Sequence, residues 1–337
     1  MKFVAALFAF ASVQATPTIK DKASGTYTVK EPAQTAQGQI NFNGGNVMAN
    51  GVNIYAIFYG SHSTGTQTIV KNFINGLGSS DWWTTVKSYT GDNGAINGRV
   101  TWKGSYVDNY SLGKNLQSGD LDTIIDNAVS KNNWPQDPNG IYPVFVYKDV
   151  AESSGNGAFC TDYCGYHGIT GSGLKSNMIG DATRCPGTLP PPGGSVGTAG
   201  CMQRYYRNQT DPAYSINKDQ HADSMIDVLA HEIAETASDY DNAWRDDTGY
   251  ENGDKCASYF VKVQGIGATS PYNGAYNVDF GTNGKFLIQS MWSADKQGCL
   301  LKDSDTPAVQ HNAPVQRTKP MVQMAKSASK KNIKPLY

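Results

Sequence analysis

A histidine and a run of acidic side chains crowd into one stretch, "LAHEIAETASDYDNAWRDDTGYENGDKCA", residues 229–257. His231 is followed at once by Glu232 and, one helical turn on, by Glu235. In a helix, residues i and i+4 project side by side, so the His231 imidazole and the Glu235 carboxylate can both reach one Zn²⁺. Glu232 then sits about 100 degrees round the helix, where a general base can take a proton from water activated by the cation. The pattern differs from the His-Glu-x-x-His of zinc peptidases in having a carboxylate as the second helical ligand. A third protein ligand must come from elsewhere, with a fourth position left for water. Asp239, at i+8 on the same row, is the expected third ligand, although the helix must deform to bring it in. Asp241, where the helix ends, and Glu251, beyond a Gly-rich turn, are the alternatives.

The competing explanation is an acidic, solvated helix face in which His231 simply pairs with Asp227 and Glu235. The chain has only five glutamates, and two of them fall at +1 and +4 of the same histidine. Chance places them so about once in a thousand such chains, which weakens that explanation without removing it. A calcium site is a further alternative, since "DDTGYENGD" is rich in oxygen donors. His167, in "FCTDYCGYHGIT", is expected to be a loop histidine beside a disulfide knot, and His221 to act only at a helix start. The one Gly-x-Ser-x-Gly match, "GGSVG" (193–197), lies in a Pro- and Gly-rich stretch with no strand pattern before it, and no dinucleotide fingerprint or P-loop occurs, so serine-hydrolase and nucleotide chemistry have no support.

These residues need a scaffold. "GVNIYAIFYG" (51–60), "GRVTWKGSYV" (98–107) and "GIYPVFVYKDV" (141–150 with Gly140) read as strands, the third irregular or at an edge because of Pro143. Between them, "TQTIVKNFINGL" and "SGDLDTIIDNAVSKNNW" carry apolar residues at helical spacing, with Gly78 as a stop and Ser118 as an N-cap. A helix over about 220–238 has the apolar stripe Ile226, Leu229, Ala230, Ile233 and Ala237. After it come strand-like pieces, "ASYFVKVQG" and "KFLIQSMWS". The expected fold class is α/β (α+β): a mixed sheet with packed helices, one of them an active-site helix, and disulfide-pinned loops.

The ends bound the compartment. "MKFVAALFAFASVQA" is a charged start, an apolar run too short to cross a bilayer and a small-x-small end, so residues 1–15 are expected to be a secretory signal peptide. Residues 16–45 are expected to be a flexible lead-in, 46–305 one domain, and 306–337 a disordered basic tail. That tail has six basic residues and no acid, so the chain's net charge of -1 becomes -8 once those six and Lys2 are set aside. An acidic body with no basic-aromatic interleaving argues against nucleic acid. Six cysteines form an even set suited to disulfides, with Cys256–Cys299 the preferred pair. Asn109 and Asn208 head glycosylation sequons and are expected to be exposed.

"VNIYAIFYG", "IVKNFINGL", "WWTTVKSY", "FCTDYCGYHG", "ADSMIDVLAHEIAETASDYDNAW" and "ENGDKCA" together resemble the phosphate-induced protein 1, or EXORDIUM-like, family, over about residues 45–302. The resemblance implies a secreted protein of the cell wall or apoplast. Plant members lack a clear His-Glu pair on this helix. The form seen here is similar to microbial members that look like zincin-type peptidases. That likeness implies a zincin-like domain, ligand roles for His231 and Glu235, the base role for Glu232, and a peptide or cell-wall substrate. The resulting expectation is a secreted, zinc-dependent, peptidase-like hydrolase; the alternative is a non-catalytic extracellular growth or host-interaction protein.

Overall fold

The computed structural model describes residues 38–154, 157–185, 201, 215–257, 259–264 and 274–307. The expected signal peptide, most of the lead-in, the basic tail and the Asn208 sequon lie outside them. Five strands form the central sheet: β1 (Val52–Tyr59), β2 (Val100–Asp108), β3 (Gly140–Val146), β4 (Gly165–Ile169) and β5 (Lys175–Gly180). Their order is β4-β5-β3-β1-β2. β5, β3, β1 and β2 run parallel, and β4 is an antiparallel edge strand.

The parallel strands are joined by helical crossovers, as parallel pairing requires. Helix α1 (Thr64–Leu77) is capped by the Ser63 side chain, which accepts from the Thr66 N–H, and ends at Gly78. Helix α2 (Asp120–Lys131) covers the opposite face. Its N-cap is Gly119 rather than the expected Ser118: a left-handed φ of 90° starts the helix one residue later. Helix α3 (Gln220–Asp239), capped by Asp219, packs beside α1 and against β3, β4 and β5.

β3 is not at an edge, and its irregularity is confined to Pro143. All seven of its residues are buried between β5 and β1. Pro143 keeps its partner Asn177 on the β5 side, while on the β1 side Tyr142 and Pro143 have no paired residues. The missing proline N–H is thus absorbed as one gap in a ladder held on both sides of it. The segment expected as the strand "ASYFVKVQG" contributes only an isolated bridge, Gln264 with Tyr276. Part of the expected lead-in already belongs to the body: Ile40 is buried, and Asn41–Phe42 pairs with Trp244–Arg245.

α3 departs most from expectation. Its polar face is not solvated, and nearly every residue of the helix is buried. The chain after it folds back over that face: the Asn252 amide donates to Ser238 Oγ at 2.9 Å, and Gln289 N–H donates to Asp227 at 2.7 Å. Three disulfides brace the surroundings, Cys160–Cys185, Cys164–Cys201 and the expected Cys256–Cys299. No helix among the described residues is long and apolar enough to cross a membrane. Asn109 is exposed, as expected.

Candidate metal centre

His231 and Glu235 meet as the i,i+4 geometry requires, with Nε2 and Oε1 3.0 Å apart. That approach is not a hydrogen bond, because His231 Nε2 is buried and unbonded. The other ring nitrogen explains why. Gln289 donates its amide N–H to the Gly253 carbonyl at 2.7 Å, so its Oε1 must accept, and it lies 3.3 Å from His231 Nδ1. A proton therefore sits on Nδ1, and Nε2, once it gives up its own proton, can point a lone pair at the carboxylates, as in metal-ligating histidines oriented by an outer partner.

The third group comes from the loop after the helix. Asp254 Oδ1 lies 3.6 Å from His231 Nε2, and the Asp254 N–H donates to Glu235 Oε1 at 2.9 Å. His231, Glu235 and Asp254 each offer an atom within 4.8 Å of the other two, as do His167, Glu235 and Glu251. A short 3-10 turn, Asp254–Cys256, carries Asp254, and the Cys256–Cys299 bridge anchors it. Gly253 lets the loop lie on the site: a Cβ there would stand 2.8 Å from His231 Cγ and 2.9 Å from Glu235 Oε1.

The other sequence candidates divide. Glu251 is in the cluster, fully buried, with neither carboxylate oxygen hydrogen-bonded. Asp239, the expected third ligand, is turned away: it accepts from the Trp244 N–H and from Arg245, 2.6 and 2.5 Å away. The helix stays straight instead of deforming, and i+8 then lies two turns from His231. Asp241 binds the Asn46 N–H at 3.0 Å, also away from the cluster. Asp227 holds Gln289 rather than His231.

His167 is no mere loop histidine. It projects from β4 into the cluster, 2 % exposed, with Nδ1 3.1 Å from Glu232 Oε2 and Nε2 3.6 Å from Glu251 Oε1. Sequence reasoning ranked a cleft role for His167 below the loop reading and missed Asp254, because neither has a fixed spacing to the helix. The available signals were the two disulfide cysteines, Cys160 and Cys164, that precede the first and the Glu-x-Gly-Asp-x-Cys run holding the second. His221 stays at the helix start, where Nδ1 lies 2.8 Å from Asp181.

Electrostatics shows what the cluster demands. Burial works to lower the pKa of both imidazoles, yet the carboxylates outweigh it. Glu251 foremost holds His167 well above the ordinary histidine range, and Glu235 does the same for His231. Burial raises the Glu232 carboxyl against the opposing effect of His167. Burial and then the Glu235 charge push Asp254 up to about 6. Burial also works to raise Glu235, but His231 and His167 hold it below the usual carboxylate range. The cluster thus attracts positive charge strongly, and a divalent cation competes with protons for that place.

The family model for the phosphate-induced protein 1 conserved region matches residues 40–302. The chain belongs to this family. Among curated relatives of this member, EXORDIUM-like 3 of Arabidopsis thaliana is 28 % identical over 311 residues, covering 81 % of this chain and 87 % of the relative. EXORDIUM-like 5 of the same plant is 29 % identical over 279 residues, covering 74 % and 73 %. PHOSPHATE-INDUCED 1 of Nicotiana tabacum is 26 % identical over 309 residues, covering 81 % and 90 %. No solved structure matches the chain. The family domain therefore spans the sheet, α3 and the covering loop that together build the cluster.

Proposed function

We propose that this family member is an extracellular zinc-dependent hydrolase that cleaves peptide bonds, with His231, Glu235 and Asp254 as ligands and Glu232 as general base. One observation carries the reading: a buried imidazole nitrogen and two carboxylates converge within ligand distance of one another, with an unbonded Glu232 oxygen on the same helix. A mixed nitrogen and oxygen donor set suits zinc, and a zinc ion there supplies a water of near-neutral pKa and polarises a carbonyl oxygen. Two imidazoles in the cluster weigh against calcium, which takes oxygen ligands.

The chain's own groups do the rest. Glu232 Oε2 is held by His167 at 3.1 Å, which fixes the carboxylate and leaves Oε1 unbonded to take a proton. Its raised pKa brings a carboxylate closer to the range in which a base both accepts a proton and returns it to a leaving amine. The edge strand supports a peptide as substrate. Gly180 N–H donates to Cys164 O and Thr170 N–H to Leu174 O, so by antiparallel alternation Tyr166 and Gly168 face β5. The backbone groups of Gly165, His167 and Ile169 face outward and are unpaired among the described residues, and Ile169 is 49 % exposed. An extended peptide added there would run beside His167 and the cluster. The three disulfides and the expected signal peptide support an extracellular setting, including the cell wall.

The test is cleavage of a peptide library by zinc-loaded protein. Glu232→Gln should lose about 10²–10⁴-fold in rate while keeping its zinc, since the amide cannot accept the proton. Equal cleavage by the variant, or none by the zinc-loaded parent, sinks the reading in favour of a non-catalytic extracellular protein.

A further inference from the structure

We infer that a second divalent cation binds beside the first, held by His167 Nε2 and Glu251 and bridged to it by Glu235. This rests on the first ion's place at His231, Glu235 and Asp254. The donors resolve into two triads that share only Glu235. Its two oxygens face different imidazoles: Oε1 is 3.0 Å from His231 Nε2, and Oε2 is 3.4 Å from His167 Nδ1, with Glu251 completing the second triad. A carboxylate with one oxygen toward each of two donor sets is placed to bridge two metals, which in two-metal sites stand about 3.5–4 Å apart.

The atoms that face the second position make no hydrogen bonds among the described residues. Glu251 is fully buried with both oxygens unbonded, and His167 Nε2 and Glu235 Oε2 are buried and unbonded as well. With the His167 ring neutral and its Nδ1–H toward the Glu232 carboxylate, Nε2 faces Glu251 Oε1 across 3.6 Å with no proton between them. Buried polar atoms left this way cost free energy unless something between them is positive.

Charge points the same way. Glu232, Glu235, Glu251 and Asp254 are four carboxylates buried together. No lysine or arginine pairs with any of them among the described residues; Lys255 pairs with Asp246 and Arg245 with Asp239. One divalent ion leaves an uncompensated buried charge, and a second neutralises the set. Imidazole and carboxylate donors suit zinc, cobalt or manganese.

Zinc binding to the untagged full chain decides it, by equilibrium dialysis with elemental analysis. The parent should hold two zinc ions per chain and Glu251→Gln one, with His167→Gln as the replacement if Glu251→Gln does not fold. Two in the parent and two in the folded variant would put the second ion elsewhere and overturn the inference. One in the parent overturns it but leaves the first site standing, and none overturns both. Manganese loading of the parent gives an independent reading: spin-coupled pairs are expected, and isolated ions only would refute the bridge.

Discussion

At the scale of single residues, the site depends on a proton map more than on the count of acidic groups. Gln289 and Glu232 each accept from a histidine Nδ1, so both imidazoles present Nε2 to the same small volume. Gly253 is a tight steric point, because its backbone lies where any side chain would press on His231 and Glu235. Gly253→Ala should therefore cost about 1–3 kcal/mol in stability and weaken zinc affinity at least tenfold. Denaturant unfolding together with metal titration measures both, and retention of full affinity would mean the loop is not packed on the ligands. His231, Glu232 and Glu235 were legible in the sequence because helical spacing is a local rule. Asp239 was favoured by the same rule carried two turns too far, and Arg245 claims it instead.

At the scale of elements, two anchors hold the ligand loop and the edge strand. The Cys256–Cys299 bridge closes 43 residues and fixes the turn that carries Asp254. Its removal as Cys256→Ala with Cys299→Ser should lower stability by about 2–4 kcal/mol. It should also release zinc at lower chelator concentration than the parent does. The strand next to the site carries a separate titration. Glu152 in the short strand Ala151–Ser154 accepts from Tyr163 and Tyr166, and burial pushes its pKa up to about 7. A folded pKa above the unfolded 4.5 means the folded state holds the proton more tightly. The stability this gives is complete below about pH 4.5 and is lost as pH rises through about 7. Thermal melts from pH 5 to 8 should show a decline, on the order of 2 kcal/mol, that Glu152→Gln flattens. An identical decline in the variant would assign it to another group.

At the scale of the whole molecule, α3 is a polar-faced helix placed inside rather than on the surface, enclosed by the sheet on one side and the segments that carry Asn252 and Gln289 on the other. Enclosing four carboxylates opposes folding unless they are neutralised, so bound metal should contribute directly to stability. Ligand linkage gives about 2.7 kcal/mol when free zinc is 100 times its dissociation constant. Extensive dialysis against a chelator should lower the melting temperature by several degrees, and added zinc should restore it. A melting temperature indifferent to both would argue for a cluster neutralised by protons.

The sequence by itself determined the alternating α/β order, the helix α3, its His231–Glu232–Glu235 row and the Cys256–Cys299 pair, because periodicity, capping and spacing act over a few residues or leave few choices. Only the tertiary structure decided that β4 turns back as an antiparallel edge, that His167 and Asp254 reach the helix, and that Asp239 does not. It also decided that Pro143 sits in a central strand and that the acidic face is buried. Each of these follows from which distant segments pack together, and long-range packing leaves no fixed interval in the chain from which to read it.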